Sequence, residues 1–419
     1  MLATSKCPPD STPCDRLKEL LPRWLELPLY RSRLVQEGIV LPGPNVTLDW
    51  DRLPFVTKRE MRENFPRNFL PAGEALESLV ERSLVEVDHT SGTSEERVPV
   101  LLGRGWWDAQ EARALRLNPL VAAVLDEQPR ARRVVLTTPT CNGMVCHSKW
   151  LPRVQRTLGT ALYVNQARIP FALKDEDFAR IAGELADWAP QFLDLDPVHG
   201  MWFALYCERR GLRFPSLRFV LASYEFVSVV HRRILERVFG VPVFNLYGST
   251  ETGHLLMEDD RGTMRPSREN AFLELVETDA HGIGQLVVTT LTNDFMPLLR
   301  YRIGDLAARG ESTQPCSFVV HGRGRDALRR ADGARVTTWQ VDQCFAGVRG
   351  VAHYQLRQAE NGECLLRLVP DGAGWAAAEL KELVLRLETL LRAPGTVTTE
   401  AVDLLLPAPS GKFRLTFQG

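Results

Sequence analysis

Apolar positions return at helical spacing from Asp15 to Glu37 and again from Trp106 to Glu127, so the first 130 residues predict mostly helix. Thr57 followed by Glu60 has capping-box spacing and opens a short helix that must stop near Pro66. The texture changes near residue 130, where the β-branched run Arg133-Val134-Val135-Leu136-Thr137 predicts a buried strand. A helix follows over Glu176 to Trp188 with Asp175 as its cap. Residues 217 to 247 hold the clearest unit: strand Leu217-Arg218-Phe219-Val220-Leu221, helix Val229 to Phe239 ended by Gly240, and strand Val241-Pro242-Val243-Phe244-Asn245. That is a βαβ unit with a parallel strand pair. Ligands of open parallel sheets bind beyond the carboxyl ends of strands, which singles out the loops Ala222-Ser223-Tyr224-Glu225 and Tyr247-Gly248-Ser249-Thr250-Glu251.

Past residue 270 the pattern becomes antiparallel, with Leu273 to Val276 and Gln285 to Thr289 separated by turn residues from Asp279 to Gly284. Past Asp326 two β-like stretches (Ala352 to Arg357, Cys364 to Val369), a helix from about Ala376 to Leu391 and a final strand near Val402 to Leu406 predict a small α+β module. The fold class is therefore α/β: a large N-terminal domain of mixed sheets with helices over 1–325, and a small mobile α+β domain over 326–419, divided at Gly324-Arg325-Asp326.

Composition narrows the function classes. The 419 residues carry 51 Lys plus Arg against 52 Asp plus Glu, a net charge of -1, so neither a nucleic-acid footprint nor an acidic tail is expected. Eight cysteines at irregular intervals are too sparse for a disulfide framework and point to a reducing cytoplasm. The stretch after Met1 lacks the apolar core of a signal peptide, and no apolar run is long enough for a membrane span.

Four loops hold candidate chemistry, although each string also occurs as ordinary turn or tail sequence. Thr90-Ser91-Gly92-Thr93-Ser94 clusters hydroxyls around a glycine between strand-like segments, a nest suited to phosphate oxygens. Tyr247-Gly248-Ser249-Thr250-Glu251 offers a ring to stack on a base, hydroxyls for a phosphate and a hard oxygen ligand for Mg²⁺. Arg300-Tyr301-Arg302-Ile303-Gly304-Asp305 offers a carboxylate that can accept from two sugar hydroxyls, with Gly322-Arg323-Gly324-Arg325-Asp326 close behind. Pro409-Ser410-Gly411-Lys412 offers a compact positive charge near the C-terminus.

The order and spacing of this set, with Trp106-Trp107 after the first loop and Gly333-Ala334-Arg335-Val336 after the Gly322-Arg323-Gly324-Arg325-Asp326 segment, resembles the motif series of adenylate-forming enzymes, specifically the phenylacetate-coenzyme A ligase branch, across residues 55 to 415. The resemblance implies that Thr90, Ser91, Gly92 and Thr93 hold ATP phosphates, Tyr247 lies against adenine, Gly248 and Ser249 complete the nucleotide loop, Thr250 contacts the α-phosphate and Glu251 ligates Mg²⁺. It implies that Asp305 holds the ribose with Arg323 nearby, that Asp326 is a hinge and that Lys412 is the catalytic lysine. Ser223, Tyr224 and Glu225 then line the nucleotide and acid pockets.

The implied reaction is ATP-dependent activation of a small, aromatic carboxylic acid as acyl-AMP, followed by transfer to coenzyme A or to the pantetheine of an acyl carrier protein. Transfer to an amine, or a nucleotide-binding protein without turnover, are the alternatives. The sequence departs from the family in two places. Ser94 runs into Glu95-Glu96-Arg97, setting two carboxylates beside the phosphate loop, and Tyr224 replaces a small residue, which reshapes the acyl pocket. His254 and Cys141 fall where the acid substrate is expected. Cys141-Asn142-Gly143-Met144-Val145-Cys146-His147 admits a zinc reading but lacks a second ligand pair, and packed thiols remain the other reading.

Overall fold

The computed structural model describes residues 11–39, 50–90, 97–137, 151–164, 173–310, 317–372, 374–408 and 411–419. They form two compact units, Met1–Leu117 with Tyr247–Val319, and Asn118–Leu246 with Val320–Gly419. Among the described residues no helix is long and apolar enough to cross a membrane.

In the first unit, the Thr57 hydroxyl accepts from the Glu60 N–H while the Glu60 carboxylate accepts from the Thr57 N–H. This is the capping box read from the sequence, and it opens the helix Lys58–Asn64. The helical pattern from Asp15 to Glu37 resolves into two helices, Ser11–Leu25 and Pro28–Gln36, because Pro28 cannot continue a preceding helix and instead starts a new one. Strands Val85–His89 and Pro99–Gly103 pair antiparallel. Strands Ala271–Val276, Gly284–Thr290 and Tyr301–Arg309 follow in antiparallel order, as the alternating pattern past residue 270 predicts. Strand Met264–Pro266 pairs with Gly253–Glu258, and Phe318–Arg323 carries the chain onward into the second unit.

The second unit is built on parallel strands. Arg133–Leu136 lies beside Phe192–Leu195, which pairs with Phe219–Ala222, which in turn pairs with Val243 to Asn245. The βαβ unit is therefore present, with Ser228 capping the helix Val229–Phe239 and Gly240 ending it in the left-handed region. Two boundaries need correction. The pattern from Trp106 to Glu127 is broken at Asn118, whose side chain caps a separate helix that starts at Pro119. The helix Asp175–Trp188 begins on Asp175 itself, and the Lys174 N–H donates to the Asp177 carboxylate.

The C-terminal segment forms a four-stranded sheet in the order Val397–Ala401, Cys364–Pro370, Val351–Gln358, Thr416–Gln418, with the helix Ala377–Leu391. The expected strand from Val402 to Leu406 is absent and is replaced by Val397–Ala401. Its partner ends at Pro370, which has no N–H to extend the ladder. Buried side chains from Val134 to Val243 and from Leu328 to Leu415 make one continuous apolar core in this unit.

Candidate active site

In the first unit, the strand Val243–Ser249 delivers Tyr247 and Gly248 to a turn at Thr250, Glu251 and Thr252 before the chain returns as Gly253–Glu258. A Cβ on Gly248 would meet the Gly253 carbonyl oxygen at 2.2 Å, so only glycine permits this close return. Ser249 and Thr252 share a hydroxyl hydrogen bond of 2.9 Å that ties the turn, leaving Thr250 half-buried at its tip. The Tyr247 hydroxyl donates to the Asp305 carboxylate at 2.5 Å, which brings together the residues assigned to adenine and ribose.

Glu251 is buried at 2 % exposure. The Tyr301 hydroxyl donates to its carboxylate at 2.8 Å, and the Lys58 ammonium lies 3.8 Å away and offsets its charge. Neither Tyr301 nor Lys58 received a role from the sequence, although Tyr301 stands inside the third motif. Arg300, beside it, is structural: its guanidinium donates to the carbonyls of Trp50, Asp51 and Leu53. Among the described residues no group of three or more His, Cys, Asp and Glu gathers as a metal cage. A buried carboxylate with neighbouring hydroxyls is the partial, hard-oxygen donor set that Mg²⁺ uses when phosphates supply further ligands.

His254 is buried beside Gln110 and Trp107. The His254 N–H donates to Gln110 Oε1, so the amide is oriented with Nε2 toward His254 Nδ1 at 2.9 Å. An amide nitrogen can only donate, so Nδ1 accepts and the neutral ring carries its proton on Nε2. Trp107 meets the imidazole edge-on at 5.0 Å.

In the second unit, polar groups gather at the carboxyl ends of Phe192–Leu195 and Phe219–Ala222. Asp196 caps the helix Pro197–Arg209, accepting from the N–H groups of Val198 and His199. The Tyr224 hydroxyl donates to Asp194 at 3.2 Å, and Arg133 lies 3.6 Å from the same carboxylate. Lys412 Nζ donates to the Tyr224 carbonyl at 3.0 Å, and the Phe413 N–H donates to both Glu225 carboxylate oxygens at 3.2 Å. Burial pushes the Glu225 carboxyl well above its usual range, with Asp196 adding to the shift and Lys412 opposing it. Asp326, in the turn Gly324–Asp326 that follows Arg323, receives Arg414 at 2.8 Å. Burial raises the Asp326 carboxyl too, against the pull of Arg414.

Of the phosphate-loop residues, Thr90 is buried and anchors the loop's base, its hydroxyl accepting from the Val98 N–H at 3.0 Å. Ser91, Gly92 and Thr93, the pair Glu95-Glu96, and the cysteines Cys141 and Cys146 with His147 lie outside the described residues. Sequence reading named Glu225 only as a pocket wall. It did not reach Gln110, Lys58 or Asp196, whose partners lie far along the chain or whose capping role has no distinctive motif.

No protein-family model matches the chain. The chain is 24% identical over 367 residues to the phenylacetate-coenzyme A ligase of Thermus thermophilus, covering 82% of this chain and 76% of that protein. A solved structure of 2-hydroxyisobutyryl-CoA ligase, with R3-HIB-AMP in the postadenylation state, superposes with a TM-score of 0.70 at 18% identity over 99% of this chain and 91% of that one. The anthranilate CoA ligase AuaEII in complex with anthranoyl-AMP superposes at 0.55 with 13% identity, over 80% of this chain and 66% of its own. The fold is that of the solved acyl-CoA ligases, and in sequence the chain resembles the phenylacetate-coenzyme A ligase branch of the adenylate-forming enzymes.

Proposed function

We propose that this protein activates a small carboxylic acid with ATP, releasing pyrophosphate and forming acyl-AMP, and then passes the acyl group to a thiol. The observation that carries this reading is the Tyr247–Asp305 hydrogen bond, which joins the adenine and ribose residues across 58 positions of sequence. The named activities of the similar ligases support it. An acid carboxylate attacks the α-phosphorus, and negative charge grows on that centre and on departing pyrophosphate. Thr250 donates to the α-phosphate, and Lys412 is a positive charge that stabilises the transition state. Glu251 would hold Mg²⁺, which would neutralise phosphate charge.

The acid is a small aromatic one, and His254 is a candidate for its recognition. The neutral His254 ring presents its Nε2–H as a donor, which suits an acid bearing an oxygen acceptor. The thiol is coenzyme A or a carrier-protein pantetheine, and the setting is cytoplasmic. Residues 1–325 act as the platform and 326–419 as the moving lid, hinged at Asp326.

The test is pyrophosphate release over a panel of acids, with and without coenzyme A. Acid-dependent release, with thioester formed only when the thiol is added, is the expected result. Silence on every acid despite ATP binding identifies a nucleotide-binding protein, and consumption of an amine identifies an amide-forming enzyme. Lys412→Ala should lower adenylation by about 100-fold or more while ATP binding changes little, because the charge acts in the transition state. Near wild-type adenylation would remove Lys412 from that role.

A further inference from the structure

In the proposed reaction Lys412 acts from a short C-terminal segment, which must be held still while the acid is adenylated. We propose that Glu225 is the positioning residue that clamps this segment, so that it sets the efficiency of the first half-reaction without touching the reacting atoms.

The clamp has two jaws on adjacent residues. Tyr224 offers its carbonyl to Lys412 Nζ at 3.0 Å, and Glu225 takes the next backbone N–H, that of Phe413, with both carboxylate oxygens at 3.2 Å. The partners lie 188 positions apart. A charged acceptor on a backbone N–H is among the stronger hydrogen bonds. Tyr224 has a φ of 73°, a left-handed conformation uncommon for an aromatic residue, and its hydroxyl is tied to Asp194. That conformation is held on both sides, by the Asp194 bond and by Ser223, whose N–H donates to the Leu195 carbonyl at 3.0 Å.

The loop is therefore built to present one carbonyl and one carboxylate to one segment. Burial and the neighbouring Asp196 oppose a charge on Glu225, whereas Lys412 and the Phe413 N–H of the docked segment favour it. Carboxylate and docked segment favour each other. The lid motion proposed above requires the same contact to release, so the clamp bears on the first half-reaction and not the second.

The inference rests on the acid-activating reading, and its test separates the two. Amide hydrogen exchange at Phe413 reads the clamp without turnover; acid-dependent pyrophosphate exchange reads adenylation; thioester formation from supplied acyl-adenylate and coenzyme A reads the second step. In Glu225→Ala, Phe413 exchange should quicken by about 10-fold or more, since a protecting hydrogen bond is lost. Its adenylation kcat should fall by about 10-fold or more with KM for ATP within about 2-fold, and the second step should stay within about 2-fold. Glu225→Gln keeps the shape and one acceptor, and should recover part of both losses. Unchanged Phe413 exchange in Glu225→Ala, or equal losses in the two half-reactions, overturns the clamp. If the wild-type protein adenylates no acid, the acid-activating reading fails, and the exchange measurement still decides whether Glu225 holds the segment.

Discussion

Gln110 sets the state of His254 through one irreversible choice: the backbone N–H of His254 can only donate, so Gln110 must turn its oxygen there and its nitrogen to Nδ1. Gln110→Glu should reverse the ring, because a carboxylate accepts on both sides and Nδ1 must then carry the proton. Histidine ¹⁵N shifts of the labelled protein read the tautomer directly, and an Nδ1–H ring in the wild type would refute the assignment. Gln110→Leu removes both hydrogen bonds from a buried site and should cost about 1–3 kcal/mol in urea unfolding. Gly253 constrains the same place, since a Cβ there would meet the Gln110 side chain at 2.7 Å and Trp106 at 2.8 Å on a backbone with φ of 71°. Sequence reading reached His254 from the motif before it. It could not reach Gln110, which stands 144 positions away on the helix Trp106–Leu115.

Elements were legible where a local rule decides them. The Thr57–Glu60 box and the βαβ unit around Val229–Phe239 depend on residues a few positions apart, and both are present. The strand expected at Val402 to Leu406 failed because its fate lay with Pro370, on another strand. The same limit hid what the helix Val229–Phe239 does. It meets the strand Val351–Gln358 through His231 Nε2 and His353 Nδ1 at 2.9 Å, and Ser228 at its cap donates to Asp342 at 2.5 Å. Burial lowers both histidines, His353 to about 4 from the usual 6.5 of a free imidazole, with Asp196 pulling His353 the other way and His353 itself disfavouring a charge on His231. Phe413 packs edge-on against His353. A base whose folded pKa is depressed binds fewer protons in the native state, so its contribution to stability is whole above the unfolded value and is lost as pH falls toward the folded value. For His353 that loss approaches about 3 kcal/mol between pH 6.5 and 4. Asp342, raised by burial to about 6, works oppositely, gaining stability over its own window as pH falls. Urea unfolding from pH 7.5 to 4.5 separates them: His353→Gln should flatten the acid-side loss relative to the wild type, and an unchanged slope would show that the histidine titrates as it does unfolded.

At the scale of the whole chain, a net charge of -1 suits the proposed reading, in which ATP would be held by local donors and no basic surface is required. The proposed division into platform and lid makes a sharper demand, on the turn Gly324–Asp326. The final strand grips the C-terminal side of that turn: Arg414 donates to the Asp326 carboxylate, Thr416 to the Asp326 carbonyl at 2.8 Å, and Gln418 to the Ala327 carbonyl at 2.7 Å. Residues 326 and 327 are therefore tied to the C-terminal segment, and the proposed bending would fall on the backbone just before them. Proline at 326 fixes φ in the range of a 3₁₀ turn and narrows Arg325 as well, so it stiffens that backbone. Asp326→Pro should then slow thioester formation from supplied acyl-adenylate more than it slows acid-dependent pyrophosphate exchange. Proline also deletes the carboxylate that holds Arg414, so Asp326→Asn is the control: it weakens the same ion pair while leaving the backbone free. The asparagine variant should lower the two half-reactions in equal proportion, whereas the proline variant should change their ratio. A ratio unchanged by proline would place the bend elsewhere in the chain, and a ratio changed as much by asparagine would assign the effect to the Arg414 contact instead of to the backbone.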